Sequence, residues 1–122
     1  MHRFTMNGYL WRVCFVNPSD PMLVDRSGNL TLATTDPSTR CVYISNAIHG
    51  SLLTRVLIHE LGHCAIYSFG LADDIRRMTY PEYWIEAEEW VCNFIADYGL
   101  AIFKAGYSIL EDIPREIERF IA

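Results

Sequence analysis

One segment of the chain, from Ser51 to Phe69, constrains the fold more than any other. It contains no proline, it is dense in leucine, isoleucine and valine, and Gly70 follows it as a natural helix terminator. Drawn as a helix, the segment is apolar nearly all round, which predicts a central, buried helix. Such a helix needs other structure packed around it, and the rest of the 122-residue chain must supply that structure.

The residues before this helix predict a small, mostly antiparallel sheet. Their aromatic and β-branched runs are bounded by turn residues, such as Asn17-Pro18 after the first run and the segment 26–29 within a predicted hairpin. The predicted strands are 9–16, 22–24, 30–34 and 41–45.

The residues after the helix predict further helices. Thr79 and Glu82 form a capping box for a second long helix that runs to about Lys104, where Gly106 ends it. Asp112 before Pro114 then begins a short C-terminal helix, whose apolar stripe is Ile117, Phe120 and Ile121. Strands first and helices afterwards indicate a single α+β domain spanning residues 1–122.

The buried helix carries the segment His59-Glu60-Leu61-Gly62-His63. Histidines four residues apart lie on one face, one turn apart, where both imidazoles can bind one metal ion. Glu60 lies about 100° round the helix, beside the metal, where its carboxylate can accept a proton from a water molecule that the metal activates. The competing interpretation is a pair of core histidines hydrogen-bonded to the backbone, with Glu60 at the surface.

A catalytic zinc ion needs a third protein ligand if one position is kept for water. His2 is terminal, and His49 reads as a loop residue just before the motif. The second long helix offers Glu88, which falls on its apolar side, and Glu89, which falls on its polar side. We therefore expect Glu88 to be the third ligand, with Glu89 as the second choice.

The segment 56–64 resembles the active-site helix of the ImmA/IrrE-like zinc metallopeptidases, in the short form common in phage genomes. The strand 41–45 resembles the strand that precedes this helix in that family, and the segment 88–96 resembles its glutamate-bearing segment. The resemblance implies a zincin-like fold and a gluzincin-type site, with Zn²⁺ on two histidines and one glutamate and with Glu60 as general base. The resemblance implies Glu88 as the third ligand. However, better-known members carry Glu-Ala-Asn shortly before Phe-Ala, and this chain does not, so the match leaves open whether Glu88 or Glu89 corresponds to the family's glutamate.

The predicted function is therefore hydrolysis of a peptide bond in a peptide or protein substrate. The alternative is a zinc-binding regulatory or phage-associated protein that keeps the site without efficient peptidase activity. Metal-assisted hydrolysis of another kind of bond is a third option.

Charge and composition set further expectations. The net charge is -5 and no run of basic residues is present, so the sequence predicts no basic surface that would attract nucleic acid or an anionic membrane. No signal peptide or apolar span is visible, so we expect a cytoplasmic protein. The four cysteines are widely spaced and read as small buried hydrophobes. The oligomeric state is left open.

Overall fold

The computed structural model describes the backbone of residues 1–121 and the side chains of residues 1–112. It is an α+β fold, as expected, with a four-stranded sheet followed by three helices. The strands are β1 (His2–Met6), β2 (Tyr9–Val16), β3 (Ala33–Asp36) and β4 (Cys41–Ser45).

The sheet is mixed, and its strand order is β1-β2-β4-β3. The outer pairs, β1 with β2 and β3 with β4, are antiparallel, whereas the central strands β2 and β4 are parallel. Two of the three pairings therefore agree with the expected mostly antiparallel sheet. Because β4 lies inside the sheet, β3 is the edge strand next to the helices that follow.

Strand β1 was not predicted, although the sequence carries a signal for it. Asn7 and Gly8 both have positive φ angles, 49° and 82°, and they join β1 to β2 with Met6 opposite Tyr9. An Asn-Gly pair between two extended runs is the preferred two-residue hairpin turn. His2 is therefore part of a strand, opposite Val13, and not a loose terminus.

The predicted hairpin around residues 26–29 is only partly correct. The turn exists, because the Asp25 carboxylate accepts hydrogen bonds from the backbone N–H groups of Ser27 and Asn29. The flanking segments are not strands of the sheet: Val24 and Leu30 form one isolated antiparallel bridge. Residues Pro21–Leu23 form a 3₁₀ turn, since Pro21 favours a turn start and the side chain of Asp20 caps it.

The helices are α1 (Gly50–Ser68), α2 (Ala72–Arg77) and α3 (Trp84–Ile121). Helix α1 lies between the sheet and α3, and it contributes Cys64 to a buried core with side chains from β2 and β4. Its C-terminal end is tied to the sheet by the Trp11 indole N–H, which donates to Ser68 Oγ at 2.8 Å. The expected central helix is present, but its buried residues lie in its second half, from Glu60 to Ser68, and most of its first six residues are exposed.

Helix α3 is longer than predicted, because it continues through Gly99 and Gly106 to Ile121. A glycine inside a helix costs only about 1 kcal/mol relative to alanine, so neither residue has to end it. The expected separate C-terminal helix from Asp112 is therefore wrong. Its predicted apolar stripe lies outside the described side chains. The start was also misplaced, since Pro81–Tyr83 form a 3₁₀ turn before α3.

All four cysteines are free, and Cys41, Cys64 and Cys92 are buried as expected.

Within residues 1–121, no helix combines the length and apolarity that crossing a membrane requires.

Helices α1 and α3 approach closely at Gly62, where a Cβ would lie 3.2 Å from Cys92 Sγ and 3.4 Å from Cys92 Cα. We expect Gly62→Val to destabilise the protein by about 1–3 kcal/mol, because overpacking must push the two helices apart. Urea unfolding followed by circular dichroism measures this change. An unchanged free energy of unfolding would show that the helices can separate without cost.

Candidate metal centre

The two motif histidines face α3 from one side of α1. Their rings are 5.0 Å apart between centroids, and the two Nε2 atoms approach to 3.2 Å. His63 is buried, and the His59 side chain is 15% exposed. The i, i+4 spacing on a buried helix thus brings both imidazole nitrogens to one point at the edge of a cleft.

Glu89 of α3 completes this group. Its Oε2 lies 3.0 Å from His59 Nε2, and its Oε1 lies 3.1 Å from His63 Nε2. His59, His63 and Glu89 form a group that could hold a metal ion, with one ligand atom from each residue and all three within 4.8 Å of one another. For a tetrahedral ion bound at about 2.0–2.1 Å, neighbouring ligand atoms are about 3.3 Å apart, so the spacing fits such an ion.

Glu88 occupies a different place. Its Oε2 accepts a hydrogen bond from Nδ1–H of His63 at 2.6 Å, on the opposite side of the ring from Glu89. A carboxylate only accepts hydrogen bonds, so Nδ1 must carry the proton, and Nε2 is the nitrogen that can bind a metal. A carboxylate on the outer nitrogen of a metal-binding histidine fixes the orientation of its ring.

The structure groups Glu89, the second choice from the sequence, with the two histidines, and Glu88 lies outside that group. The two glutamates differ in burial and in the nitrogen of His63 that each contacts. Glu88 is 6% exposed and lies beneath the His63 ring, whereas the Glu89 side chain is 39% exposed and lies at the rim of the cleft. Glu88 is engaged with Nδ1 of His63, so Glu89 is the glutamate whose carboxylate lies beside both Nε2 atoms.

Arg26, which sequence reasoning missed, joins the two glutamates. Its guanidinium donates to Glu88 Oε2 at 3.0 Å and to Glu89 Oε1 at 3.3 Å. It reaches the site from the turn after Asp25, 62 residues before Glu88 in the chain. No local pattern in the sequence links positions so far apart, so only the folded arrangement reveals the contact.

The charges of the site are strongly coupled. Burial raises the pKa of Glu88, but His63 and Arg26 outweigh that effect and hold this pKa below its usual range. Hydrogen bonds from His59 and His63 hold the pKa of Glu89 well below its usual range. Burial lowers the pKa of His63, whereas its bonds to Cys92 and to both glutamates raise it, to about 12. Two ionised carboxylates thus favour a cation between the imidazoles.

Glu60 is buried, at 5% exposure, and lines the same cleft. The Thr35 hydroxyl of β3 donates to Glu60 Oε2 at 2.6 Å, a contact that sequence reasoning also missed. Burial raises the pKa of Glu60, and the hydrogen bond from Thr35 offsets this only in part. A carboxylate with a raised pKa can both take up and release a proton closer to neutral pH.

The cleft has a volume of about 720 Å³ and runs between the segment 21–37 and the facing sides of α1 and α3. Tyr67 also lines it, with its hydroxyl 3.5 Å from Glu88 Oε1. His49 is exposed at the start of α1. Asp97 pairs with Arg55 at the surface.

The structure therefore brings together four residues that the sequence singled out on two helices: His59, Glu60, His63 and Glu89. It places Glu88 against one of them. Comparison with known proteins found no matching family model, no matching curated protein and no matching solved structure, so the resemblance to ImmA/IrrE-like metallopeptidases stays a prediction.

Proposed function

We propose that the chain is a zinc-dependent hydrolase that cleaves peptide bonds, with the metal on His59, His63 and Glu89 and with Glu60 as general base. The observation that carries this proposal is the convergence of two imidazole Nε2 atoms and one carboxylate at the rim of a cleft, next to a second, buried carboxylate. A purely structural zinc site would favour four protein ligands and would have no use for Glu60.

The donor set supports zinc. Two imidazole nitrogens and one carboxylate oxygen, with a fourth position free, are the ligands of many catalytic zinc sites. Ions such as magnesium and calcium prefer sites made of oxygen ligands alone. The contact between Glu88 and His63 Nδ1 supports the same assignment, because it presents the Nε2 lone pair of His63 to the ion.

Bound zinc would supply a Lewis acid that lowers the pKa of a water molecule to about 7. Glu60 would accept one proton from that water as its oxygen forms a bond to the carbonyl carbon of the substrate. It would then give the proton to the departing amine nitrogen as the C–N bond breaks. The Thr35 hydroxyl, at 2.6 Å, holds the Glu60 carboxylate in place for both transfers.

The edge strand β3 supports a peptide as the substrate. It pairs with β4 on one side only, and residues 31–37 line the cleft. An extended peptide could add to such an edge through backbone hydrogen bonds and lie across the site. Strand β4, by contrast, lies inside the sheet between β2 and β3.

The experiment is metal analysis combined with an activity assay on the purified chain. We expect one zinc ion per chain, cleavage of a mixture of unstructured peptides, loss of cleavage on removing zinc with a chelator, and recovery when zinc is restored. Bound zinc without cleavage of any peptide would favour the alternative, a regulatory protein that uses the same site. A protein that binds no metal would contradict both.

A further inference from the structure

Helix α3 extends well beyond the body of the domain. Gly62 of α1 contacts Cys92, and Arg55 of α1 pairs with Asp97, so the two helices run antiparallel, and Gly99 is the last buried residue of α3 among its described residues. We call residues 100–121 of α3 the overhang. It is about 33 Å long, at 1.5 Å per residue. Residues 100–112, the part of the overhang whose burial is described, are exposed apart from Gly106, which is half-buried.

The apolar face that α3 turns toward α1 continues along the overhang. Cys92 and Gly99 are buried on that face, and steps of three and four residues lead from them to Ile102, Gly106 and Ile109. We call Ile102, Phe103, Ile109 and Leu110 the overhang stripe. They are 53%, 57%, 62% and 54% exposed, on the side of α3 that carries Cys92 and Gly99.

The spacing of the stripe fits another helix as its partner. Phe103, Gly106 and Leu110 are followed in the sequence by Ile113, Ile117 and Phe120, so the steps alternate between three and four residues over more than two heptads. A sustained 3.5-residue repeat is the pattern with which two helices pack along each other.

A membrane surface fits the overhang less well. Amphipathic helices that bind anionic membranes carry a polar face rich in lysine and arginine. Residues 100–121 contain three basic residues, Lys104, Arg115 and Arg119, against four acidic ones, Glu111, Asp112, Glu116 and Glu118. This nearly balanced charge suits a protein partner in water.

We propose that the overhang stripe pairs with the overhang stripe of a second copy of the chain, in antiparallel orientation. Antiparallel packing follows from sterics. A parallel partner helix on the same face would continue toward residue 99 and below, where α1 already packs. An antiparallel partner runs the other way, so its own sheet and α1 lie at the far end of the pair. The same patch then faces itself across a twofold axis.

The dimer should be weak enough to dissociate on dilution. A standard stable interface buries about 800 Å² per partner and involves 20–30 residues on each side, whereas one face of about 22 helical residues offers fewer. Sedimentation analysis of the wild-type chain over a range of concentrations should therefore show a mass that rises from 14.1 kDa toward twice that value.

The decisive variant is Phe103→Glu combined with Leu110→Glu. Two charges in the stripe of each copy should weaken association by about a hundredfold or more, because burying unpaired charges is costly. Both side chains are exposed in the single chain, so its fold should not change; circular dichroism and metal binding check this. The matched control is Ser108→Glu, on the opposite face of the overhang, which should dimerise like the wild type.

Two results would overturn the proposal. One is a wild-type chain that stays monomeric up to several hundred micromolar. The other is a dimer that persists unchanged in the double variant, because it would have to form through another surface. Neither result bears on the metal centre, since the overhang begins beyond all of its ligands.

Discussion

Glu60→Gln is expected to abolish hydrolysis while zinc stays bound. Glutamine keeps the size of the side chain and can still accept the hydrogen bond from Thr35, so the geometry of the cleft should be retained. What is lost is the proton acceptor, and a positioned general base contributes about 10²–10⁴ to the rate. The measurement is the rate of peptide cleavage together with the zinc content of the same sample.

The matched control is Glu86→Gln, which makes the same chemical change on α3 outside the cleft. It should leave both rate and zinc content unchanged. Full activity in Glu60→Gln would remove Glu60 from the mechanism and would leave zinc, rather than a carboxylate, to activate the water. Loss of zinc in Glu60→Gln would instead make this glutamate part of the metal site.

The second large effect separates the adjacent glutamates. Glu89→Gln should lose zinc by well over a hundredfold in affinity, because an amide oxygen is a far weaker ligand than a carboxylate. Glu88→Gln should weaken binding only by about 10–100-fold, as is usual when the partner of a ligand histidine is changed. Titration against a chromophoric chelator measures both dissociation constants.

The two variants control for each other, since each removes one charge at neighbouring positions of one helix. The ratio of their affinities therefore reports the role of each carboxylate. If Glu88→Gln lost zinc and Glu89→Gln kept it, Glu88 would be the third ligand, as expected from the sequence. Glu89 would then lie beside the histidines without binding the metal.

Much of the site could be predicted because its core is local in sequence. His59, Glu60 and His63 lie within five residues of one helix, and the helical repeat alone determines how they face. The third ligand depends on how α3 packs against α1. Helical periodicity identified Glu88 as the more buried glutamate, and this is confirmed at 6% exposure. Burial alone does not identify the third member of the group, because His63 is equally buried. What separates the two glutamates is the nitrogen that each carboxylate faces.

The other contacts of the site depend on long-range packing. Thr35 reaches Glu60 from an edge strand, and Arg26 reaches both glutamates from a turn. Neither residue belongs to a motif, so nothing local marks it. In the fold, too, some features follow from local sequence and others depend on long-range packing. The class and the central helix follow from periodicity and element order, whereas the place of β4 inside the sheet depends on pairing between distant segments.

The close contact between Gly62 and Cys92 has a further consequence for α3. Glu88 and Glu89 are consecutive residues, about 100° apart around the helix axis, and they hold the two nitrogens of one His63 ring. A modest turn of α3 about its own axis would move one carboxylate away and bring the other toward Nε2. The contact between Gly62 and Cys92 lies one turn from both glutamates, so a larger side chain at position 62 would displace α3 and both carboxylates with it. Which carboxylate lies beside Nε2 thus depends on how α3 is packed and rotated against α1.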